Sequence, residues 1–423
     1  MIIRCRDCGC RREFDKIDNV AENHRTEMAD RPLRRASSAL AALLEQRDVA
    51  DPYPGYAAWR MSHPVSQLDE RLFVMSRYDD CLAVLTDTRF GHAESSRSRA
   101  LSFLYLNPPD HTRLRGLVSR AFTPSRVCDL APRIEEIASR LIGAIAGKAE
   151  PSDLVSELAS PLPVMVISQL LGIPAADYDQ LLAWSDVLTL GVNLGFVMPE
   201  AERKVRQRAR AEFASYLRGL VAQRRRKPGS DLLSALVHLH DRDGALTEDE
   251  LVGICILILV AGHETTRSII GAGALALLRH PTELARLRAD PALTERATEE
   301  ILRCEPPVQM TSRVALRDAR VADVAIPVGS TVLLLIAAAN RDPGFCDDPE
   351  RFDVGREPGR HLTFSQGIHF CLGAPLARLE IQIALRSLAP VLGRLELAGE
   401  PTWAAGVALR VLRHLPVRPA ARS

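Results

Sequence analysis

The stretch Phe364-Ser365-Gln366-Gly367-Ile368-His369-Phe370-Cys371-Leu372-Gly373 runs into Ala374-Pro375-Leu376-Ala377-Arg378-Leu379-Glu380. It gives one cysteine a setting that a merely packed cysteine would not need. The second part reads as a helix start, with Pro375 in the first turn, where a missing N–H costs nothing. Backbone N–H groups and the macrodipole make a helix start electropositive, which favours a thiolate on Cys371 and so a sulfur able to ligate a metal. Gly367 and Gly373 allow the backbone to fold tightly around the sulfur and to approach a flat partner closely. A single cysteine is usually a small buried hydrophobe, so a ligand loop here requires companion features elsewhere.

Composition bounds the search. The 423 residues are 47% hydrophobic and 25% charged, enough for a large core in one domain or several. Basic and acidic side chains number 54 and 53, for a net charge of +1, so no global field argues for nucleic acid or anionic lipid. The apolar run Leu251 to Gly262 is too short to span a bilayer and is bounded by Glu250 and His263-Glu264. The chain opens Met1-Ile2-Ile3-Arg4-Cys5-Arg6-Asp7, without an apolar signal segment, and its nine cysteines are scattered, so the expectation is free thiols in the cytoplasm. Cys5-x-x-Cys8-x-Cys10 with His24 has the spacing of half a zinc site, but no second C-x-x-C pair follows to complete it, which speaks against zinc. Residues 1–27 read as an N-terminal extension, with Met28 a second candidate start, and 28–423 as the functional domain.

Taken in order, the chain gives a helix over Ser37 to Gln46, a strand at Leu72-Phe73-Val74-Met75 and a helix over Tyr78 to Leu85. Residues Phe90 to Leu106 read as a long irregular loop, the kind that often carries function. Asn107-Pro108-Pro109-Asp110 opens a helix on which His111 and Arg115, four apart, share a face. Helices are expected over Ile134 to Ile145, over Leu154 to Leu171 before Gly172-Ile173-Pro174, and over Asp177 to Leu190. A break at Gly191-Val192-Asn193-Leu194-Gly195-Phe196 precedes a helix from about Glu200 to Arg226. The basic run Arg224 to Lys227 reads as solvated complement to that helix's C-terminal dipole.

Thr247 and Glu250 form a capping-box pattern ahead of a helix from Leu251 to about Arg279 that is apolar on nearly every side and should cross the interior. Ala261-Gly262-His263-Glu264-Thr265-Thr266 lies at its middle. A carboxylate and hydroxyls there are costly unless they serve a cavity, and Thr265 can bond back to the Ala261 carbonyl and bend the helix. Further on, Glu300 and Arg303 form an E-x-x-R pair. Pro306-Pro307-Val308-Gln309-Met310 follows, then a strand over Ser312 to Leu316 containing Arg313, and Asn340-Arg341-Asp342-Pro343 forms a turn.

Together these features resemble the cytochrome P450 family, whose cysteine loop reads F-G-x-G-x-H/R-x-C-x-G; Ser365 stands where glycine is commonest. The resemblance runs from about residue 50 to the C-terminus. It implies a mainly α fold with small β-sheets, one large domain enclosing haem b. Cys371 would be the axial metal ligand, with His111, Arg115, Arg313 and His369 on the propionates. Glu264 would be the acid of the proton path and Thr265 the hydroxyl that orients oxygen and water, with Thr266 a weaker candidate. Glu300, Arg303 and Arg351 would form a structural ion network. Substrate would meet residues 90–106, 190–197, Leu257, Ile258, Ala261 and 308–311.

The implied activity is a monooxygenase acting on an apolar small molecule, by hydroxylation or epoxidation, in bacterial secondary metabolism. No glycine-rich phosphate loop offers a site for a nicotinamide or flavin, so electrons are expected from a ferredoxin and its reductase, docking at Arg113, Arg120, Arg378 and Arg386. No nucleic acid or membrane partner is expected. A haem sensor or ligand binder, and a peroxide-driven member of the same fold, are the alternatives; retention of Glu264 and Thr265 speaks against both.

Overall fold

The helix Glu248–Arg279 is the axis on which the other elements pack. Its start is fixed by the expected capping box: Thr247 Oγ1 accepts from the Glu250 N–H at 3.2 Å, and Glu250 Oε2 accepts from the Thr247 N–H at 2.8 Å. Glu248, Asp249 and Glu250 face the positive end of the dipole. The helix is long and apolar enough to cross a membrane, yet it is packed inside the protein, on helices Pro161–Leu171 and Ala374–Leu392 among others. The computed structural model describes residues 50–93, 102–193, 200–243, 246–404, 406 and 408–420. The extension 1–27 and the helix expected over Ser37 to Gln46 lie outside the described residues, as do parts of the 90–106 loop and of the 190–197 segment.

The expected Leu154–Leu171 helix is in fact two pieces. Val155–Ala159 is a single π-type turn, closed by the Ser160 N–H on the Val155 carbonyl at 2.8 Å, and the α-helix begins at Pro161. Pro161 explains the division, since it has no N–H to continue the ladder and its ring would clash one turn back. Gly172 ends the second piece in the left-handed conformation, φ +69°. The break expected at Gly191 is displaced: helix Tyr178–Asn193 runs through it. The next helix, Glu200–Arg226, has the expected bounds.

The main sheet has five strands in the order Val65–Asp69, Leu72–Met75, Thr331–Leu334, Thr311–Ala315 and Phe90–Gly91. Its second and third strands run parallel and the other neighbours antiparallel. Two-residue alternation on Thr311–Ala315 turns Arg313 and Ala315 to the buried face. A three-stranded sheet joins Ser152–Asp153, Pro416–Pro419 and Leu395–Leu397. The principal core lies among the helices, with a smaller one beneath the five-stranded sheet.

Candidate functional site

The cysteine loop is built from two short 3₁₀ turns, Leu362–Phe364 and Gly367–His369, and closed by the Cys371 N–H on the Phe364 carbonyl at 2.8 Å. The buried Asn340 side chain braces its entrance, accepting from the Leu362 N–H at 2.7 Å and donating to Thr363 Oγ1 at 2.8 Å. Gly367 has φ +69°, and a Cβ there would lie 2.4 Å from the Leu85 carbonyl oxygen, so only glycine fits. Gly373 has an ordinary φ of −80°, and a Cβ there would meet Cys371 Sγ only at an ordinary 3.9 Å, so the tight fold expected at this glycine is not what the loop requires.

Cys371 is crowded by surrounding protein and yet accessible. The expectation of a depressed thiol pKa is corrected here. Burial pushes the thiol up and outweighs the Gly373 and Ala374 N–H groups and the Arg115 and Arg378 charges, all of which favour thiolate.

Beside the loop, His111, Arg115, Arg313 and His369 come together from three elements. The His111 and His369 rings lie 4.4 Å apart, and Arg115 Nη2 donates to the Phe370 carbonyl at 2.6 Å. Burial lowers His111, with Arg115 adding to the effect; burial likewise brings Arg313 down to about 10 and, with the neighbouring cationic groups, His369 to about 3. Among the described residues none of these four takes part in an ion pair, and the buried Nε2 atoms of His111 and His369 have no hydrogen-bond partner. His92, not singled out in the sequence, also belongs here, its ring 4.6 Å from that of His369. The only local signal for it was its position after Gly91 at the mouth of a long loop.

On the central helix, Thr265 Oγ1 donates to the Ala261 carbonyl at 2.6 Å, as expected, but the helix continues unbroken. Ala261 is accessible although Leu259 and His263 are wholly buried, and Leu257, Ala261 and Thr265, four apart, form an accessible stripe. Gly262 serves packing rather than the cavity: a Cβ would sit 2.9 Å from Ile167 Cδ1.

Glu264 is 6% exposed and burial pushes its carboxyl pKa up, with Arg267, 3.6 Å away, opposing. Arg267 also lies 3.6 Å from Asp186, whose side chain is 52% exposed. Asp186, His263 and Glu264 could geometrically hold a metal ion. However, the two carboxylates share Arg267, and the His263 ring nitrogens meet Ser185 Oγ at 2.6 Å and Ser160 Oγ at 3.5 Å. Thr266 is buried, away from the stripe.

Other expectations need correction. Glu300 and Arg303 do pair inside the protein, but the third member is Arg356, whose Nε is 3.1 Å from Glu300 Oε1. The Arg351 side chain is 59% exposed and meets Asp353, and only its backbone carbonyl joins the network. Gln309 and Met310 are packed away rather than lining a cavity. Arg113 pairs with Glu250 and Arg378 with Glu299, while Arg120 and Arg386 stand exposed. A surface cleft of about 380 Å³ beside Arg120 and Arg126 shares no residue with the site.

The donor set fits a haem. Cys371 could offer a sulfur ligand, and partnerless buried imidazole nitrogens, beside guanidinium groups that join no ion pair among the described residues, could offer donors for two carboxylates. Comparison with known proteins agrees. The family model for cytochrome P450 matches residues 69–389. The cytochrome P450 monooxygenase PikC of Streptomyces venezuelae is 42% identical, covering 89% of this chain and 92% of its own. The polyketide biosynthesis cytochrome P450 PksS of Bacillus subtilis is 37% identical, over 87% and 95%. The structure of CYP164A2 from Mycobacterium smegmatis superposes with a TM-score of 0.83 at 40% identity, covering 90% of this chain and 100% of that one. Cysteine loop, cationic cage, acid and hydroxyl on the central helix, fold and relatives thus converge, and the chain belongs to the cytochrome P450 family of haem b monooxygenases.

Proposed function

We propose that this protein hydroxylates or epoxidises an apolar small molecule of bacterial secondary metabolism, in the cytoplasm, using dioxygen and electrons from a separate ferredoxin and ferredoxin reductase. The observation that carries this reading is the cage of His111, Arg115, Arg313 and His369, free of ion pairs among the described residues, beside the accessible sulfur of Cys371. Haem, when bound, supplies an iron whose thiolate ligand favours O–O cleavage. In this reading Cys371 Sγ would ligate the iron, and the four cage residues would hold the carboxylates.

Glu264 supplies protons. Its raised pKa keeps a proton on the carboxyl nearer to working pH, and Arg267, a fixed cation 3.6 Å from each, holds it close to the half-exposed Asp186 at the solvent side. Thr265 uses its hydroxyl hydrogen on the Ala261 carbonyl, which leaves the oxygen lone pairs to accept from a water. A sensor has no use for such a pair. Leu257, Ile258 and Ala261 present an apolar wall to the substrate, and relatives such as PksS, named for polyketide biosynthesis, support a secondary metabolite. Arg120 and Arg386 are the exposed cations offered to an acidic electron carrier.

The test is spectroscopic and then chemical. Reduced protein under carbon monoxide should show the red-shifted Soret band of thiolate-ligated haem, and Cys371→Ala should lose it. A normal band in that variant would sink the assignment. With a surrogate ferredoxin system, turnover of a macrocyclic or polyketide panel should yield products heavier by one oxygen atom.

A further inference from the structure

Strand pairing, a side-chain clamp and ring packing bring His92 into the cage. The register Phe90↔Ala315 and Gly91↔Val314 carries the chain on so that His92 comes opposite Arg313. There its backbone is gripped from both sides by one side chain: the His92 N–H donates to Asn107 Oδ1 at 2.9 Å, and Asn107 Nδ2 donates to the His92 carbonyl at 2.8 Å. The grip depends on Gly91, where a Cβ would lie 2.4 Å from Asn107 Oδ1. Asn107 also accepts, through its carbonyl, the His111 N–H at 3.0 Å, so one residue joins His92 to the helix that carries His111 and Arg115.

The ring of His92 is set edge-on to both His369, at 4.6 Å and 82°, and Tyr105, at 5.4 Å and 83°. Among the described residues no hydrogen bond reaches the ring. Its neighbours supply cations and imidazoles, with Arg313 and His111 both bearing on it, and burial drives its pKa down to about 3. The ring is half-buried, and an imidazole donor among cations and other imidazoles gains from an acceptor that something else brings.

We propose that His92 is a further carboxylate-binding residue of this cage, positioned by Asn107 to donate its ring N–H to a haem propionate. The proposal rests on the haem reading above. The competing role is a purely aromatic one, in which His92 only fills space between Tyr105 and His369.

The two roles separate by porphyrin chemistry. The full chain is loaded with ferric protoporphyrin IX or with its dimethyl ester, which lacks the propionate charges, and porphyrin loss to excess apomyoglobin is followed in the Soret region. His92→Phe keeps a ring of similar shape but no donor, and should lose protoporphyrin IX about tenfold faster than wild type, the size of one charge-assisted bond. His92→Gln keeps a donor and should recover most of the difference. With the dimethyl ester, wild type and His92→Phe should lose porphyrin at equal rates. Equal rates with protoporphyrin IX, or the same acceleration with both porphyrins, would overturn the proposal and leave the haem reading standing. A wild-type protein that takes up neither porphyrin would bring down both.

Discussion

Arg267 stands one helical turn beyond Glu264 with its guanidinium 3.6 Å from the carboxylate. Burial raises the Glu264 pKa and Arg267 is the largest influence opposing it, so removing the cation raises that pKa further. In Arg267→Leu the limb of the turnover profile governed by Glu264 should therefore move to higher pH. Glu264→Gln should flatten that limb and lower kcat by on the order of a hundredfold, the usual worth of a positioned proton donor. The check is kcat against pH for the three proteins with a fixed redox system. A limb that stays in place in Arg267→Leu would remove Glu264 as the titrating group.

The ion network inside the protein discriminates between two arginines. Glu300 takes Arg303 in two parallel bonds, Nε to Oε2 at 2.8 Å and Nη2 to Oε1 at 2.9 Å, and Arg356 Nε joins at 3.1 Å. Arg356 further donates to the carbonyls of Asp347, Asp348 and Arg351, and so ties down the coil ahead of the cysteine loop. Arg356→Ala should cost about 2–4 kcal/mol, because it leaves the buried Glu300 charge less compensated and releases the coil held through three carbonyls. Arg351→Ala, at an exposed position, should fall within about 0.5 kcal/mol of wild type. Urea unfolding of both variants measures the difference; equal losses would place Arg351 in the network after all.

Which of these relationships the sequence could disclose follows from their geometry. His111 with Arg115, Thr265 with Ala261 and Glu300 with Arg303 are three or four residues apart on helices, where spacing alone settles the shared face. Arg356 and Arg351 both lie in irregular chain, where no periodicity says which one turns inward. His92 with Asn107, and Asp186 with Arg267, meet only after strands and helices have packed. The split at Pro161 was readable from proline chemistry but was masked by the apolar period on either side of it. The thiol pKa of Cys371 was misjudged because a sequence shows the helix start but not how deeply it is buried.

Acid should reach a second ion cluster in a definite window. Burial works to raise the Glu299 pKa, but hydrogen bonds from His361 and Arg378 prevail and bring it to about 2. Depressed in the folded state, this carboxyl contributes stability that is fully present above its unfolded value near 4.5 and is lost as pH falls toward 2. Because Arg378 lies on the helix that follows Cys371, that loss loosens the seat of the cysteine loop. Glu299→Gln should cost roughly 2–3 kcal/mol at pH 7 and next to nothing at pH 2, so the stability curves of wild type and variant converge below pH 4. Parallel curves across that window would assign the acid sensitivity to other carboxyls.

Ser365 carries a conformation that a side chain resists. Its φ of +61° and ψ of −169° fall in a region that only glycine enters readily, and its Oγ is buried without a hydrogen-bond partner. The strain is of the order of 1–3 kcal/mol, and glycine's larger entropy loss on folding returns about 0.5–1 kcal/mol of it. Ser365→Gly should therefore stabilise the folded chain by about 1 kcal/mol, read as a higher urea midpoint at unchanged slope. The Ser365 N–H already bonds the Leu362 carbonyl at 2.8 Å, and the Cys371 N–H closes the loop on Phe364. The substitution thus deletes a strained Cβ without breaking a bond that positions the sulfur, and the Soret band under carbon monoxide should keep its position. A lower midpoint would mean that the serine hydroxyl bonds within the loop in solution and outweighs the backbone strain.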